Sequence, residues 1–492
     1  MRPRLSALFC ATLFFSGAGY SQNFAPSASS TTAPSLSLVK TYQISPSAKG
    51  SFDHLAVDLK RNRLFVTPED FKSVLVFDLS SGNLIRRIEG IARPHAILYR
   101  SDVDRLYVTD GGDGLVRVFD GETYSQVARI ALLKDADSIG YDVSRKYLYV
   151  DNGGGDVGQK YSMLSVINAN DNTKRQDIRI EGDTLEAMAL DSYRPRLYVN
   201  DKATNEVVAV DRFTNSVVAK WPLTKGHENV AMALDEQRQR LFIGCRSGQI
   251  VVLDSNTGKE LQTLPIHTGI DDLIYDPVTR RIYASTDGFV DVFDQEDLNH
   301  YVSRGSVASG AKGRTARFVP ELNRLFVAVP QTPTSSAHIL AFEPQNTQTP
   351  RPFPVDVKET VNAPVAEEIV LEELSKHPTL RRMGLHVIPP GGHTMILIAN
   401  GNETRLGIHT SEGDFAAVKS GRTYGPRIAD GEYYNMKMPM FDAQGQRIGI
   451  LVMEIPCTDA TSEEDAARKA ESIRAEVAKK IPNLDALFAP AP

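Results

Sequence analysis

The chain has 492 residues, of which 41 % are hydrophobic and 24 % are charged, and its formal net charge is −6. This composition is typical of globular proteins, and the length allows two or three domains. The negative balance argues against a nucleic-acid binder, because neutralising phosphates requires a basic surface. The three cysteines are too few for a disulfide framework and form no CxxC motif, so no zinc or haem-attachment motif is predicted.

The N-terminus has the pattern of a signal peptide. Arg2 and Arg4 precede an apolar stretch at 5–15, and small residues follow at 16–19. The apolar stretch is too short to cross a bilayer, and the pattern is that of an export signal. We therefore predict a signal peptide over residues 1–21 and a periplasmic or secreted protein with no membrane span after cleavage. A signal retained as an anchor is the alternative.

The strongest signal in the sequence is an internal repeat. A basic or polar residue followed by an aliphatic, an aromatic and a small apolar residue, as in Arg63-Leu-Phe-Val66, recurs seven times at intervals of 41 to 49 residues. A period in the low forties is the size of one propeller blade. The aliphatic anchors are Leu64, Leu106, Leu148, Leu197, Leu241, Ile282 and Leu325.

Each period also contains other strand-like segments. A third segment alternates apolar residues and ends in Asp, as in residues 74–78 and 250–254, which is typical of strands. The seventh unit has no fourth strand, whereas an extra strand, 38–44, precedes the first unit. We therefore predict an all-β, seven-bladed propeller over residues 36–345, closed by the N-terminal strand. The repeat resembles the YVTN-type propellers of exported bacterial proteins, which serve as binders, scaffolds or enzymes.

Beyond the repeats, a Pro-rich linker is predicted over residues 346–365 and a smaller α+β domain over 366–488. A helix is expected at 366–375, and Ser462 with Asp465 forms a capping pair for a closing helix through Lys480. Four strands are expected between these helices. They are placed at 394–399, 405–409, 433–440 and 447–454.

This layout resembles a single Cache (PDC-type) ligand-sensing domain of the PAS-like class, and the segment Asp442-Ala-Gln-Gly-Gln-Arg-Ile-Gly-Ile-Leu-Val452 is the most similar part. The resemblance implies a pocket on the sheet that takes a small organic ligand, often a carboxylate. Arg and Lys give charge-assisted hydrogen bonds to a carboxylate, and Tyr adds a phenolic donor; solvated surface groups are the alternative. The predicted contacts are Arg405, Lys419, Arg422, Tyr424, Tyr433 and Lys437.

The position eleven residues before each aliphatic anchor is polar or charged in six of the seven repeats. In a propeller these positions lie at the start of the innermost strands, so their side chains should converge at the mouth of the central channel. Carboxylates with a His are suited to a divalent cation or a polar ligand, and solvated channel lining is the alternative. The six residues are Asp53, His95, Asp137, Glu186, Asp271 and Arg314.

Three functions remain open at this point. The first is an exported ligand-binding or sensing protein, with the propeller as an interaction platform and the Cache-like domain binding a small acid. The second is a lactonase-like propeller hydrolase that uses a cation in the acidic channel. The third is a scaffold that binds another envelope protein. The sequence has no GxSxG, HExxH or Walker motif, so it predicts no catalytic residue and favours the first function.

Overall fold

The computed structural model describes residues 34–44, 50–143, 145–191, 196–212, 214–236, 238–345, 347, 359–401, 405–419, 424–429 and 433–490, and of 424–429 it describes only the backbone. The predicted signal peptide, Arg422 and most of the predicted linker lie outside these residues. No helix within these ranges is both long and apolar enough to cross a membrane.

Strands dominate the first part of the described chain. They are β1 (Leu36–Gln43), β2 (Phe52–Asp58), β3 (Arg63–Pro68), β4 (Ser73–Asp78), β5 (Leu84–Glu89), β6 (Pro94–Arg100), β7 (Arg105–Asp110), β8 (Leu115–Asp120), β9 (Gln126–Ala131), β10 (Ile139–Asp142), β11 (Tyr147–Gly153), β12 (Ser162–Asn168), β13 (Thr173–Ile180) and β14 (Leu185–Leu190). They continue as β15 (Arg196–Asp201), β16 (Glu206–Asp211), β17 (Ser216–Pro222), β18 (Asn229–Asp235), β19 (Arg240–Cys245), β20 (Gln249–Asp254), β21 (Glu260–Pro265), β22 (Asp272–Asp276), β23 (Arg281–Thr286), β24 (Phe289–Asp297), β25 (His300–Ala308), β26 (Thr315–Val319), β27 (Arg324–Val329) and β28 (His338–Pro344).

These strands form seven four-stranded antiparallel sheets. Six of the sheets consist of four consecutive strands, beginning with β2–β5, and the seventh has the order β1-β28-β27-β26. The first strands β2, β6, β10, β14, β18, β22 and β26 contact one another in a closed cycle. Sheets arranged radially around such a cycle form a β-propeller.

The N-terminal strand β1 pairs with β28 and thereby joins the two ends of this part of the chain. It begins two residues before the predicted strand and ends one residue earlier, although the Ile44 amide still donates to the Ala337 carbonyl at 3.0 Å. Tyr42 is buried and packs edge-on against Phe77 and Phe326. The strand therefore covers an edge that would otherwise be unpaired.

The repeated motif has a physical explanation in the structure. All seven aliphatic anchors have a relative exposure of 0 % and lie in the cores between sheets. In four of the sheets the Arg before the anchor is the register partner of the Asp that ends the third strand. The side chains of Arg105 and Asp120 lie 2.9 Å apart, and those of Arg196 and Asp211 lie 2.6 Å apart. The repeat therefore encodes one buried position per sheet and, in these four sheets, one cross-strand Arg–Asp pair.

An eighth, five-stranded antiparallel sheet with three helices follows the propeller. Its strand order is β30-β29-β33-β32-β31, and helices α1 and α3 pack on one face over a core that includes Met436, Met438 and Met440. The elements are α1 (Pro364–Lys376), β29 (Arg382–Val387), β30 (Ile396–Asn400), α2 (Glu412–Lys419), β31 (Tyr424–Ala429), β32 (Tyr433–Phe441), β33 (Arg447–Pro456) and α3 (Glu463–Lys480).

The structure confirms the cap of α3 and corrects the strands before it. The Ser462 hydroxyl accepts from the Asp465 amide at 3.2 Å. The predicted strand at 405–409 is wrong, because that segment makes only a single bridge between His409 and Ile396. Gly407 adopts a φ of 80° there, and a Cβ at this position would meet the Glu359 carbonyl. Strands β29 and β31 and helix α2 were not predicted.

Candidate functional site

The mouth of the central channel brings the predicted ring residues together in two groups. In the first group Asp53 Oδ2 lies 2.5 Å from Nδ1 of His95, and that nitrogen lies 3.6 Å from Oδ1 of Asp137. These residues belong to three successive innermost strands or to the loop before them. The first group is therefore acidic with a buried histidine at its centre.

In the second group the carboxylates are matched by basic side chains. Asp271 accepts from Arg246 at 2.9 Å and lies 3.5 Å from Nε of Arg314. Glu186 accepts from Lys202 at 2.9 Å. Arg246 and Lys202 were not predicted, because they follow the second strand of their sheets, where the sequence repeat gives no polar signal. The one ring position without a polar residue, Val230 in the fifth repeat, is buried.

His54 and Asp272 are two further channel residues that the sequence did not predict. His54 Nε2 lies 3.3 Å from Asp53 Oδ1, and its Nδ1 lies 3.8 Å from Asp272 Oδ1. Neighbouring residues of a regular strand point to opposite faces, so regular alternation would direct His54 away from Asp53 and Asp272 away from Asp271. Strand β2 has a register shift between Phe52 and Leu55, and such a bulge redirects side chains.

The same bulge recurs at the start of several innermost strands. Register shifts lie at 94–97 in β6, 185–188 in β14 and 229–231 in β18. The ring position falls within or beside the shift in each case. The bulge is therefore the backbone device that turns ring side chains toward the channel, as bulges beside functional sites commonly do.

Neighbouring charges raise the pKa of both channel histidines. Burial alone would lower the pKa of His95, but the hydrogen bond to Asp53 and the charge of Asp137 raise that pKa to about 10. Burial would also lower the pKa of His54, which the charges of Asp53 and Asp272 raise instead. For Asp53, burial is outweighed by the charge of His54 and the hydrogen bond from His95, so its pKa is lowered.

Burial raises the pKa of three other carboxyl groups at the channel. Burial and the charge of Asp53 raise the pKa of Asp137 to about 8. Burial raises the pKa of Asp272 to about 7, against the opposing charge of His54. Burial also raises the pKa of Glu186. Several groups that exchange protons near neutrality within one concave site are typical of binding and catalytic centres.

Three of these residues are placed to hold a cation. One ligand atom from each of Asp53, His54 and Asp137 lies within 4.8 Å of the other two. Two carboxylates and an imidazole suit a divalent transition metal. The pKa of Asp137 is about 8, so a cation that binds there near neutral pH would displace its proton, and binding would strengthen as the pH rises.

The C-terminal sheet carries a second polar cluster on the face opposite α1 and α3. Lys437 Nζ lies 2.6 Å from Oδ1 of Asp414, and the Ser411 hydroxyl donates to Oδ2 of the same carboxylate at 2.7 Å. His386 is buried and hydrogen-bonds with the Thr410 hydroxyl at 2.9 Å. The sequence predicted only Lys437 of these residues. Asp414 and His386 lie on the helix α2 and the strand β29, which were not predicted, and Thr410 and Ser411 lie directly before α2.

The charges in this cluster act on one another. Burial lowers the pKa of His386 to about 4. The negative charge of Asp414 opposes this shift, whereas the positive charges of Arg405 and Lys437 lower the pKa further. Burial would raise the pKa of Asp414, but the hydrogen bonds from Lys437 and Ser411 lower it. At neutral pH the cluster therefore holds a neutral imidazole beside an ion pair.

The structure brings together only some of the predicted ligand contacts. The positive charges of Lys437 and Arg405 both lower the pKa of His386. On the neighbouring strand, the backbone of Tyr424 is the register partner of Lys437. Tyr433 lies four residues away on the same strand, about 13 Å along it, where its ring packs under the Arg381 guanidinium at 4.5 Å. Lys419 is exposed at the end of α2. Arg422 lies outside the described residues.

Comparison with known proteins agrees with the propeller. No family profile matches the chain. Over 99 residues it is 32 % identical to the uncharacterized protein YncE of Salmonella typhi and 31 % identical to YncE of Salmonella typhimurium strain LT2. Each match covers 20 % of this chain and 28 % of the relative, so the chain spans only about a quarter of the length of these curated relatives.

A solved structure is similar over a longer stretch. A chain of the hydrazine synthase of Kuenenia stuttgartiensis matches with a TM-score of 0.52 and 13 % identity, covering 61 % of this chain and 97 % of that chain. At this identity the likeness shows the fold alone. The fold is that of a β-propeller.

Proposed function

We propose that this chain is an exported ligand-binding protein. In this proposal the seven four-stranded sheets are the blades of one YVTN-type propeller that serves as an interaction platform. Residues 366–488 form a Cache/PDC-like domain that binds a small organic ligand carrying a carboxylate. The proposed compartment is the periplasm or the exterior, reached through the signal peptide over residues 1–21.

The C-terminal sheet supports the proposed domain type. Its five antiparallel strands follow α1 and precede α3 along the chain, which is the layout that resembles a Cache domain. Helices cover one face, and the opposite face carries Lys437, Val452 and Gly384 as cross-strand neighbours. A Cβ at Gly384 would lie 2.8 Å from Cδ1 of Leu397, so glycine allows β30 to pack closely there.

The observation that carries the proposal is the Lys437–Asp414 pair on this half-buried face. Lys437 is the cation to which a ligand carboxylate would bind. Because Asp414 already holds this ammonium group, a simple acid must displace or share that carboxylate. A ligand with both a carboxylate and an ammonium group would satisfy both partners, and it would avoid leaving either charge unpaired.

Thermal melting with a panel of small acids and amino acids tests this function. A compound that stabilises the full-length protein should lose its effect in Lys437→Gln. Lys174→Gln is the matched control, because Lys174 forms a similar 2.8 Å ion pair with Asp177 in the propeller. Equal stabilisation of wild type and Lys437→Gln would exclude this site. No stabilisation by any compound of the panel would count against the function.

The channel supports a second candidate function, a cation-dependent propeller hydrolase of the lactonase type. The observation that favours it is the set of ligand atoms from Asp53, His54 and Asp137 within 4.8 Å of one another. A bound divalent ion would supply Lewis-acid activation of a carbonyl group. Metal analysis of the purified protein and lactone hydrolysis by wild type and Asp137→Asn test this function. A protein with no metal in the channel and no hydrolysis would exclude it.

A further inference from the structure

A separate cluster of carboxylate and imidazole groups lies where helix α1 packs against helix α3. Glu373 of α1 is fully buried, with a relative exposure of 0 %. Carboxylates are almost never fully buried unless they are paired or bind a metal ion. The surroundings of its two oxygens therefore indicate which role this residue has.

The two oxygens of Glu373 have different surroundings. Oε1 accepts from the ammonium groups of Lys480 and Lys376, the latter at 3.3 Å. Oε2 is buried and has no hydrogen-bond partner among the described residues. Nε2 of His377 lies 3.6 Å from Oε2, and it too is buried without a hydrogen bond in this part of the chain. This separation is too long for a hydrogen bond, so the two lone-pair atoms mark a place for a cation.

Glu476 of α3 brings a third ligand atom to the same place. One ligand atom from each of Glu373, His377 and Glu476 lies within 4.8 Å of the other two. A tetrahedral zinc ion with bonds of about 2.0–2.1 Å holds its ligands about 3.4 Å apart. The observed 3.6 Å between Oε2 of Glu373 and Nε2 of His377 nearly matches this spacing.

The two lysines beside the cluster leave this position open. Lys376 and Lys480 also bind Glu372, at 2.8 and 2.7 Å. Their charges are therefore matched by Glu372 and by Oε1 of Glu373, the oxygen that faces away from His377. Hydrogen bonds to one oxygen of a carboxylate fix the direction of the other, as the outer partners of metal ligands do.

We propose that Glu373, His377 and Glu476 bind one zinc-class divalent ion that links α1 to α3. The imidazole ligand favours zinc over calcium and magnesium, which prefer sets of oxygen ligands. Three protein ligands leave a fourth position for water. The ion connects the first and last helices of the C-terminal part, so its binding free energy stabilises that part of the fold.

Calorimetric titration and thermal melting with ZnCl2 test the site in the full-length, chelator-treated protein. The variants are Glu476→Gln and His377→Gln. His300→Gln is the matched control, because His300 faces Glu296 at 3.6 Å with the same i,i+4 spacing on an exposed hairpin. All variants carry Asp137→Asn, which disables the cation cluster of the channel, so the result does not depend on the second candidate function.

We expect the background protein and the His300→Gln control to bind one equivalent of zinc. Affinity should fall by more than about 100-fold in Glu476→Gln and His377→Gln, because even changes to outer partners of a metal ligand cost about 10–100-fold. Without metal, Glu476→Gln should melt like the background protein. Zinc should raise the melting temperature of the background protein and of the His300→Gln control, but not that of the two ligand variants. No zinc binding by the background, or undiminished binding by both ligand variants, would overturn the proposal.

Discussion

Replacing Asp53 with Asn tests the electrostatics of the channel directly. In the folded protein Asp53 Oδ2 lies 2.5 Å from Nδ1 of His95, whose side chain is 6 % exposed. The substitution keeps the shape of the side chain and removes its charge. It therefore separates the ion pair from the packing of the bulge at the start of β2.

The expected magnitude follows from the burial of this pair. Removing one partner of a buried ion pair costs about 3–5 kcal/mol. One pKa unit corresponds to about 1.4 kcal/mol, so losing about 3 kcal/mol of preference for the protonated imidazole lowers the pKa of His95 by about 2. The pKa of His95 should therefore fall from about 10 to about 8 or below.

The pH dependence of stability has a definite sign. The raised pKa of His95 gives stability that is fully present below the ordinary histidine value of about 6.5 and is lost as the pH rises through about 10. The lowered pKa of Asp53 gives stability that is present above about 3.8 and is lost as the pH falls below it. The penalty of Asp53→Asn should thus be largest between about pH 5 and pH 8.

Chemical denaturation at several pH values and NMR of isotopically labelled histidines measure the two effects. His95→Gln assigns the resonance, and Asp271→Asn is the control, because that ring carboxylate contacts Arg246 and Arg314 rather than a histidine. The wild-type His95 signal should not titrate between pH 6 and pH 9, whereas the Asp53→Asn signal should. A signal that titrates identically in both proteins would refute the reasoning.

Three further substitutions have defined outcomes. Asp137→Asn should raise the melting temperature at pH 7, because the raised pKa of Asp137 makes the wild type lose stability as the pH rises from about 4 to about 8. The gain in melting temperature should vanish below about pH 4. A gain of equal size below that pH would contradict this prediction. Ser462→Ala should lower the stability of the α3 region by about 1 kcal/mol through loss of the helix cap, measured by hydrogen exchange, whereas Ser462→Asp should retain it. Tyr42→Ala should lower the free energy of unfolding, measured with denaturant, by about 3–5 kcal/mol, because its buried ring packs against Phe77 and Phe326. A loss below about 1 kcal/mol would mean that β1 is dispensable for stability.

The sheet elements of the propeller were predictable because their signals are local and repeated. Most anchors follow an Arg and precede an Asp by 12 to 14 residues, and the structure places that Arg and Asp opposite each other on neighbouring strands, as in Arg105 and Asp120. Three of the positions eleven residues before an anchor, Asp53, His95 and Asp137, lie close together. Periodicity predicts such positions because every repeat places them at the same point of the same element.

What the sequence missed depends on irregular backbone and on long-range contacts. His54 reaches the channel only because β2 is bulged, and alternation along a regular strand directs it elsewhere. Asp414 meets Lys437 across a helix and a strand with no local pattern that pairs them. The segment 405–409 looked like a strand, but the left-handed conformation of Gly407 ends the pairing. These sites arise from tertiary structure, for which one sequence has no periodic signal.

The channel ring is divided in a way that limits what it binds. On one side Asp271 and Glu186 already have arginine or lysine partners, so a cation gains little there. On the other side Asp137 holds a proton near neutral pH that a cation can replace, and Asp53 and His54 offer ligand atoms beside it. Because the pKa of Asp137 is about 8, cation affinity should rise with pH up to that value and level off above it. A cation that binds with the same affinity at pH 6 and pH 9 must therefore use other residues.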